Sequence, residues 1–272
     1  MLDRRIGEPA LECSSPASDP AGAIDEIREY WNENIHDLEA SKQPIGSKEF
    51  FEEIEGYHFE KFEYLPRIVG FNAYKGKRLL EVGCGLGIDL IRFAKGGAIV
   101  TGIDISEKTI ELARKNFEIH GIDCDLRPMN GEHLQFSDSS FDVVYSLGVL
   151  GYTRDAMQMI HEIHRVLKRG GEAILTMYHR NSWLFFLPML LGRKIYREDA
   201  PIFKTYSITE FRQMLLSFST AEIFVERFPI RNPLLRGFKA TLFNNLFVPA
   251  FNLIPRVIVR SFGAHIIAKA IK

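Results

Sequence analysis

The chain has 272 residues, 46% of them hydrophobic, which is enough for one main domain with additions. Its formal net charge is -1, so the field of the whole molecule does not call for a nucleic acid partner. The three cysteines, Cys13, Cys84 and Cys124, lack the spacing of a secreted disulfide framework or of a CxxC metal site, so the expected setting is a reducing cytoplasm with no metal.

Residues 1–23 mix Pro, Ser, Ala and Asp, carry Arg4 and Arg5, and lack the apolar stretch of a signal peptide; they read as a disordered tail. Residues 24–76 read as a mostly helical cover with scattered aromatic side chains. Charge is uneven along the chain. Asp25 to Glu63 holds twelve acidic residues against four Lys and Arg, whereas Arg227 to Lys272 holds eight Lys and Arg and no carboxylate. Either the two ends complement each other or the basic end meets an anionic lipid or substrate.

From Arg78 onward short β-rich runs alternate with helical runs, the pattern of a parallel sheet covered by helices. RLLEVG is the first strand, Ala98 to Asp104 the second, and Phe141 to Gly148 and Glu172 to His179 are later ones. Each is a short apolar run, as expected for strands buried on both faces. Ser106 can cap a helix that turns Ile110, Ala113 and Phe117 inward, with Gly121 as its stop. Ile160, Ile163 and Leu167 form a second inward stripe, ended by Lys168, Arg169 and Gly170-Gly171. The core is therefore doubly wound α/β.

Beyond residue 180 the alternation loosens. A helix is expected near Ser207 to Leu216, a strand near Ala221 to Phe228 and a last strand at AHIIAKAI, with apolar insertions at 181–200 and 231–262. The longest apolar stretch, WLFFLPMLLG from Trp183, is about half of what a membrane-spanning helix needs and contains Pro188. In the second insertion Leu242, Phe243, Leu246 and Phe247 share one helical face. Arg193, Lys194, Arg197, Arg256 and Arg260 accompany the two insertions. Such stripes fit core packing, a homodimer contact, an apolar acceptor pocket or a peripheral membrane contact.

The run LLEVGCGLGIDL, Leu79 to Leu90, places a glycine turn at the carboxyl end of the first strand, where such sheets bind ligands. A dinucleotide would want GxGxxG, but Ile88 stands where the third Gly or Ala belongs. GxGxG preceded by Glu81 suits a ligand without pyrophosphate and with a cationic amino-acid portion. Asp104, ending the second strand, can accept both hydroxyls of a ribose.

With these residues in place, the stretch from about Lys77 to His179 resembles the class I S-adenosylmethionine-dependent methyltransferases. Within them it is similar to the type 11 group, which includes the ubiquinone and menaquinone biosynthesis methyltransferases. LLEVGCGLG, VTGIDIS, MNGEHLQFSDSSFDVVYSLGVLGY and EIHRVLKRGGEAIL carry the likeness. The resemblance implies a Rossmann-like, mostly parallel, seven-stranded sheet over residues 77–272, with an N-terminal cover and an insertion before the last strand. It also implies that Gly83, Cys84, Gly85 and Gly87 pass beside the methionine portion of the cofactor, with Glu81 beneath. Asp104 would bind the ribose, Ile105 would pack on the adenine, and Asn130, Gly131 and Glu132 would line its edge. Ser146, Leu147 and Gly148 would lie under the sulfonium. Asn130 departs from the family's usual Asp, and Gly151-Tyr152 stands where many members have His.

Methyl transfer from a sulfonium chiefly needs a held nucleophile and excluded water; a base is optional. His179 is the first candidate base, followed by Tyr178 and Tyr152. Tyr30, Trp31, Tyr57 and His58 belong to the segment that often folds over the cofactor in this family. Cys84 reads as a small packed residue, and His161 and His164 as solvated. The expected activity is methylation of a small or lipid-like acceptor on oxygen, carbon or sulfur, leaving S-adenosylhomocysteine, without nucleic acid. The rival reading is a binding protein without turnover.

Overall fold

The computed structural model describes residues 20–186, 199–231 and 237–272. The expected tail through residue 19 and the middle of the first insertion, with Pro188, Arg193, Lys194 and Arg197, lie outside the described residues. Ahead of the sheet stand α1 (Pro20–Glu33), α2 (Lys48–Lys61) and α3 (Leu65–Val69). The first begins at Pro20, inside what the sequence marks as tail, because proline is suited to a helix start. Ser47 caps α2 by accepting from Phe50 N, and Phe50, Phe51 and Ile54 pack on Leu86 and Ile88 of the glycine turn.

The core strands are β1 (Arg78–Val82), β2 (Ile99–Asp104), β3 (Asp125–Pro128), β4 (Phe141–Leu147), β5 (Leu167–Tyr178), β6 (Thr220–Glu226) and β7 (His265–Ile271). They form one sheet in the order β3-β2-β1-β4-β5-β7-β6, with β7 antiparallel to both neighbours. The order reverses between β1 and β4, and the crevice at their carboxyl ends is where a doubly wound sheet takes its ligand.

Helices α4 (Ile88–Lys95) and α5 (Glu107–Ile119) cover one face, and α6 (Ala156–Val166) and α7 (Ile208–Met214) the other. The alternation of a strand divides β1 between them: Leu79 packs with Ile110 and Phe117, Leu80 with Ile160 and Ile163. Ser106 caps α5 by accepting from Thr109 N, and Gly121 follows it at φ 62. Ser207 and Glu210 form a reciprocal capping box on α7.

Two local readings change, and one strand that no reading placed is present. Helix α6 stops at Val166, and Lys168 to Gly171 extend β5 instead of ending the helix, because Gly170 N donates to Lys272 O and pulls this stretch alongside β7. The short edge strand β3, charged at two of its four positions, has no apolar run to betray it. His164 is half-buried with its ring edge-on to Phe218 at 5.0 Å, so only His161 is solvated. Between β6 and β7 lie α8 (Phe238–Leu242), a π-helical turn at Phe243–Phe247, α9 (Val248–Asn252) and α10 (Arg256–Val259). Among the described residues no helix is long and apolar enough to cross a membrane.

Candidate active site

Two cavities of about 140 Å³ each meet at the carboxyl ends of β1 and β4, sharing His36, Gly83, Gly85, Leu147 and Gly148. The first is lined further by Trp31, Asp104, Ile105, Met129, Asn130, Gly131, Glu132 and Tyr152. The second is lined by Glu81, Cys84, His58, Asp89, Phe62, Tyr178 and His265. Most of the cofactor positions singled out in the sequence therefore converge on one crevice.

The glycine turn is shaped by contact on both sides. Gly83 sits at φ 75, and a Cβ there would run into the Val149 side chain, so only glycine lets the main chain border the cavity. Gly85 N donates to Asp104 Oδ2 at 3.1 Å, and Ser106 N donates to Oδ1 at 2.9 Å. One lone pair on each oxygen remains for a ligand. Burial pushes the Asp104 carboxyl up, and its backbone bonds pull it back only in part. Asn32, from α1, accepts from the Ser106 hydroxyl at 2.8 Å and fixes the cover beside Asp104.

Glu81 is buried, and its Oε2 has no hydrogen-bond partner among the described residues. Burial, then the charges of Asp89 and Asp104, push its carboxyl well above the usual carboxylate range. A buried acceptor of this kind calls for a donor from outside the protein. Cys84 Sγ is likewise pushed well up by burial and by Asp104 and Glu81, which leaves a neutral packed thiol.

Four predicted site residues lie off the cavities or have their side chains engaged elsewhere. Gly87 lines neither cavity; it precedes α4 at φ 76, tight against Phe117, and shapes the turn. Ser146 is buried with its hydroxyl donating to Val82 O at 3.0 Å, turned into the sheet because its neighbour Leu147 takes the cavity side. The Glu132 carboxylate is taken up by the Thr153 hydroxyl and by Asp155 N at 3.0 Å, so it ties two loops together while its backbone borders the cavity. His179 lies outside both cavities; its buried ring donates from Nδ1 to Gly263 O at 3.0 Å, and burial pushes its pKa down.

Tyr178 and Tyr152 do reach the crevice. Their rings meet edge-on at 5.8 Å and pack with Phe203, while Trp31 stands edge-on to Tyr152 at 5.1 Å. This aromatic wall joins the N-terminal cover to the segment after β5. Of the cover candidates, Trp31 and His58 line the cavities; Tyr30 instead donates to Asp199 at 2.9 Å, and Tyr57, pushed up to about 12 by burial, faces elsewhere. Asn130 Oδ1 accepts from Glu132 N at 2.9 Å, so its amide is partly engaged within its own loop.

Several cavity residues escape a reading by motif. His36 stacks on Trp31 at 4.9 Å and borders both cavities. Asp89, two residues past Gly87 in the quoted run, accepts from Tyr145 at 2.8 Å and faces His58 Nε2 at 2.9 Å. His265 opens β7; its Nε2 accepts from Arg227 at 2.9 Å, so Nδ1 carries the proton and donates to the Tyr64 oxygen at 2.6 Å. Burial, with the charges of Arg227 and Lys61, holds this imidazole neutral, its pKa well below the ordinary 6.5.

Residues 80–175 match the family described as a methyltransferase domain. The chain is 31% identical over 161 residues to the ubiquinone biosynthesis O-methyltransferase of Alkalilimnicola ehrlichii, covering 56% of this chain and 64% of that one. It is 36% identical over 113 residues to the protein of the same name from Pseudomonas aeruginosa, covering 40% and 49%. The chain thus spans about half to just under two thirds of the length of these relatives. Among solved structures it resembles magnesium protoporphyrin IX methyltransferase from Synechocystis, with bound S-adenosylhomocysteine (TM-score 0.58, 17% identity, 90% of this chain and 98% of that one). It also resembles an S-adenosylmethionine-dependent methyltransferase from Thermotoga maritima (TM-score 0.53, 19% identity, 82% and 96%). The fold is the Rossmann-like fold of these methyltransferases, and the likeness drawn from the four sequence motifs holds.

Proposed function

We propose that this chain transfers the methyl group of S-adenosylmethionine to a small or lipid-like acceptor, leaving S-adenosylhomocysteine. The observation that carries the reading is the buried, partnerless Oε2 of Glu81 beside the Gly83–Gly85 turn, with Asp104 across the same crevice. An ammonium supplies the donor that Glu81 lacks, and a ribose supplies hydroxyls for the free lone pairs of Asp104. Ile105, Met129, Asn130 and Gly131 bound the space for a flat base.

The cofactor supplies a methyl group already activated on a sulfonium. The chain has to position the acceptor in line with it and keep water out. Leu147, Gly148 and Tyr178 border the reacting end, and Trp31, Tyr152 and Phe203 form an aromatic wall that excludes water and favours positive charge. Where the acceptor is a hydroxyl, its proton goes to His36, while the Tyr178 hydroxyl can orient the acceptor by a hydrogen bond; His179 lines neither cavity. The relatives' name, ubiquinone biosynthesis O-methyltransferase, supports a hydroxyl acceptor on a lipid-like molecule.

In this reading residues 24–76 are the cover and residues 77–272 the transferase domain, acting in the cytoplasm. Phe238, Leu246, Leu253 and Ile258 are exposed in a stretch without a carboxylate, which supports a peripheral contact with an anionic bilayer, or else a second copy of the chain, at this face. Co-sedimentation with anionic vesicles at low and high salt tests the contact; no binding at either removes it. The activity is tested by calorimetry with S-adenosylmethionine, then by S-adenosylhomocysteine release with phenolic and catecholic acceptors. No affinity for the cofactor ends the proposal; affinity with no product from any acceptor leaves a binding protein.

A further inference from the structure

A third pocket, of about 390 Å³, lies behind the cavity wall, between α2 and α3 on one side and the end of β6 on the other. Four cations line it: Lys61, Arg67, Arg227 and Arg260, against the carboxylates of Glu63 and Glu226. Two of the four are already compensated. Lys61 pairs with Asp37 at 2.8 Å, and Arg67 with Glu226 at 2.7 Å. Arg227 and Arg260 have no carboxylate partner among the described residues.

Arg227 is held in an unusual way. Its backbone sits at φ 62, a left-handed conformation that costs a residue other than glycine about 1 kcal/mol or more. The carbonyl of this residue accepts from Trp183 Nε1 at 2.8 Å and from Ala264 N at 3.1 Å, which clamps the conformation. The guanidinium is thereby set over the rings of Phe62 at 5.2 Å and Tyr178 at 6.0 Å, and it donates to neutral His265. Five donors in a planar fork are matched here by one imidazole nitrogen and two ring faces. The arrangement leaves charge and donors for an anion from outside.

Apolar side chains line the same pocket, namely Val225, Phe228 and Ile230. We propose that it binds a carboxylate or phosphate carried on an apolar stem, the anionic end held by Arg227 and Arg260. The site shares no lining residue with the two cofactor cavities, but Arg227 touches Phe62, Tyr178 and His265 of the second, so Arg260 is the residue that tests the site apart from them. The anion can belong to a soluble amphiphile, such as a methyl acceptor, or to the headgroup of a bilayer lipid.

The test uses the full chain, titrated calorimetrically with monomeric dodecyl phosphate and with inorganic phosphate. Vesicles of phosphatidylcholine, with and without phosphatidylglycerol, form the second arm. S-adenosylhomocysteine affinity is measured on every sample. Dodecyl phosphate is expected to bind more tightly than inorganic phosphate, and Arg260→Gln is expected to weaken it about tenfold or more with S-adenosylhomocysteine affinity unchanged. Arg227→Gln should weaken it further. Binding of the monomer assigns a soluble amphiphile; binding confined to anionic vesicles and lost in Arg260→Gln assigns a lipid headgroup. Wild-type affinity in both variants, or no binding of either form by the folded wild type, overturns the site. Anion binding without S-adenosylhomocysteine binding upholds the site and removes the cofactor reading instead.

Discussion

Replacing Asp104 by alanine separates the ligand role of this carboxylate from its structural one. In the free protein its two oxygens accept from Gly85 N and Ser106 N, at 3.1 and 2.9 Å. In the proposed complex they accept two ribose hydroxyls as well. A hydrogen bond to a charged group contributes about 1.5–3 kcal/mol, so losing two costs about 3 kcal/mol of affinity, or about 100-fold. The stability cost is smaller, about 1–2 kcal/mol, because removing a carboxyl that burial has pushed up also relieves part of its desolvation cost. That is a fall in melting temperature of about 2–8 °C for a chain of this size. The assay is calorimetric titration with S-adenosylhomocysteine beside a melting curve. A ligand lacking both ribose hydroxyls closes the cycle: wild type should lose affinity for it, and the alanine variant should not. A folded variant that binds S-adenosylhomocysteine within about threefold of wild type would refute the reasoning, since a contact of this kind cannot be so weak.

Glu81→Gln should weaken S-adenosylmethionine binding about tenfold while leaving the free protein at least as stable at pH 7. With its carboxyl pushed above the ordinary 4.5, the folded state keeps a proton that the unfolded state sheds, so wild-type stability falls as pH rises through 4.5 toward the folded value; the glutamine variant should lack that fall. His265 works in the opposite sense: below 6.5 the unfolded chain takes up a proton that the buried ring refuses, so stability drops as pH falls from 6.5 toward the folded pKa. Melts between pH 7 and 5 should show His265→Gln flatter, the difference in slope approaching about 1.4 kcal/mol per pH unit only below the ordinary 6.5, and parallel curves would contradict the neutral ring. His179→Gln should lower the melting temperature through the lost bond to Gly263 and leave cofactor affinity within about twofold; a loss of activity at unchanged stability would restore it as a base.

The cofactor side of the site was legible because it is built from main chain. Glycines at positive φ and carboxylates at strand ends are local demands, and the run from Glu81 to Gly87 with Asp104 states them within two dozen residues. Glu132 shows the limit of that legibility. Its position in the motif is right, yet its carboxylate is spent on Thr153 and Asp155 N, partners that no spacing announces. The short strand β3 and the helix end at Val166 were hidden for a related reason: pairing with neighbours, rather than their own side chains, decides them.

The acceptor side depends on which way side chains point at the end of a strand, and there the alternation of the sheet decides. Tyr178 and His179 are adjacent, so at most one can face the crevice. Their order in the sequence does not say which. The antiparallel register does: Tyr178 is paired with His265, and residues opposite one another in a ladder share a face. Tyr178 and His265 therefore line the cavity together with rings 5.1 Å apart, and His179 is turned to the opposite side, onto Gly263. Because His265 begins a strand that reads as plain core, the register of β7 against β5 is needed before either histidine can be assigned. A one-residue slip of β7 would carry His265 to the face opposite Tyr178 and leave His179 where it is, which makes the pairing of the last strand the feature on which the proposed acceptor end of the crevice rests.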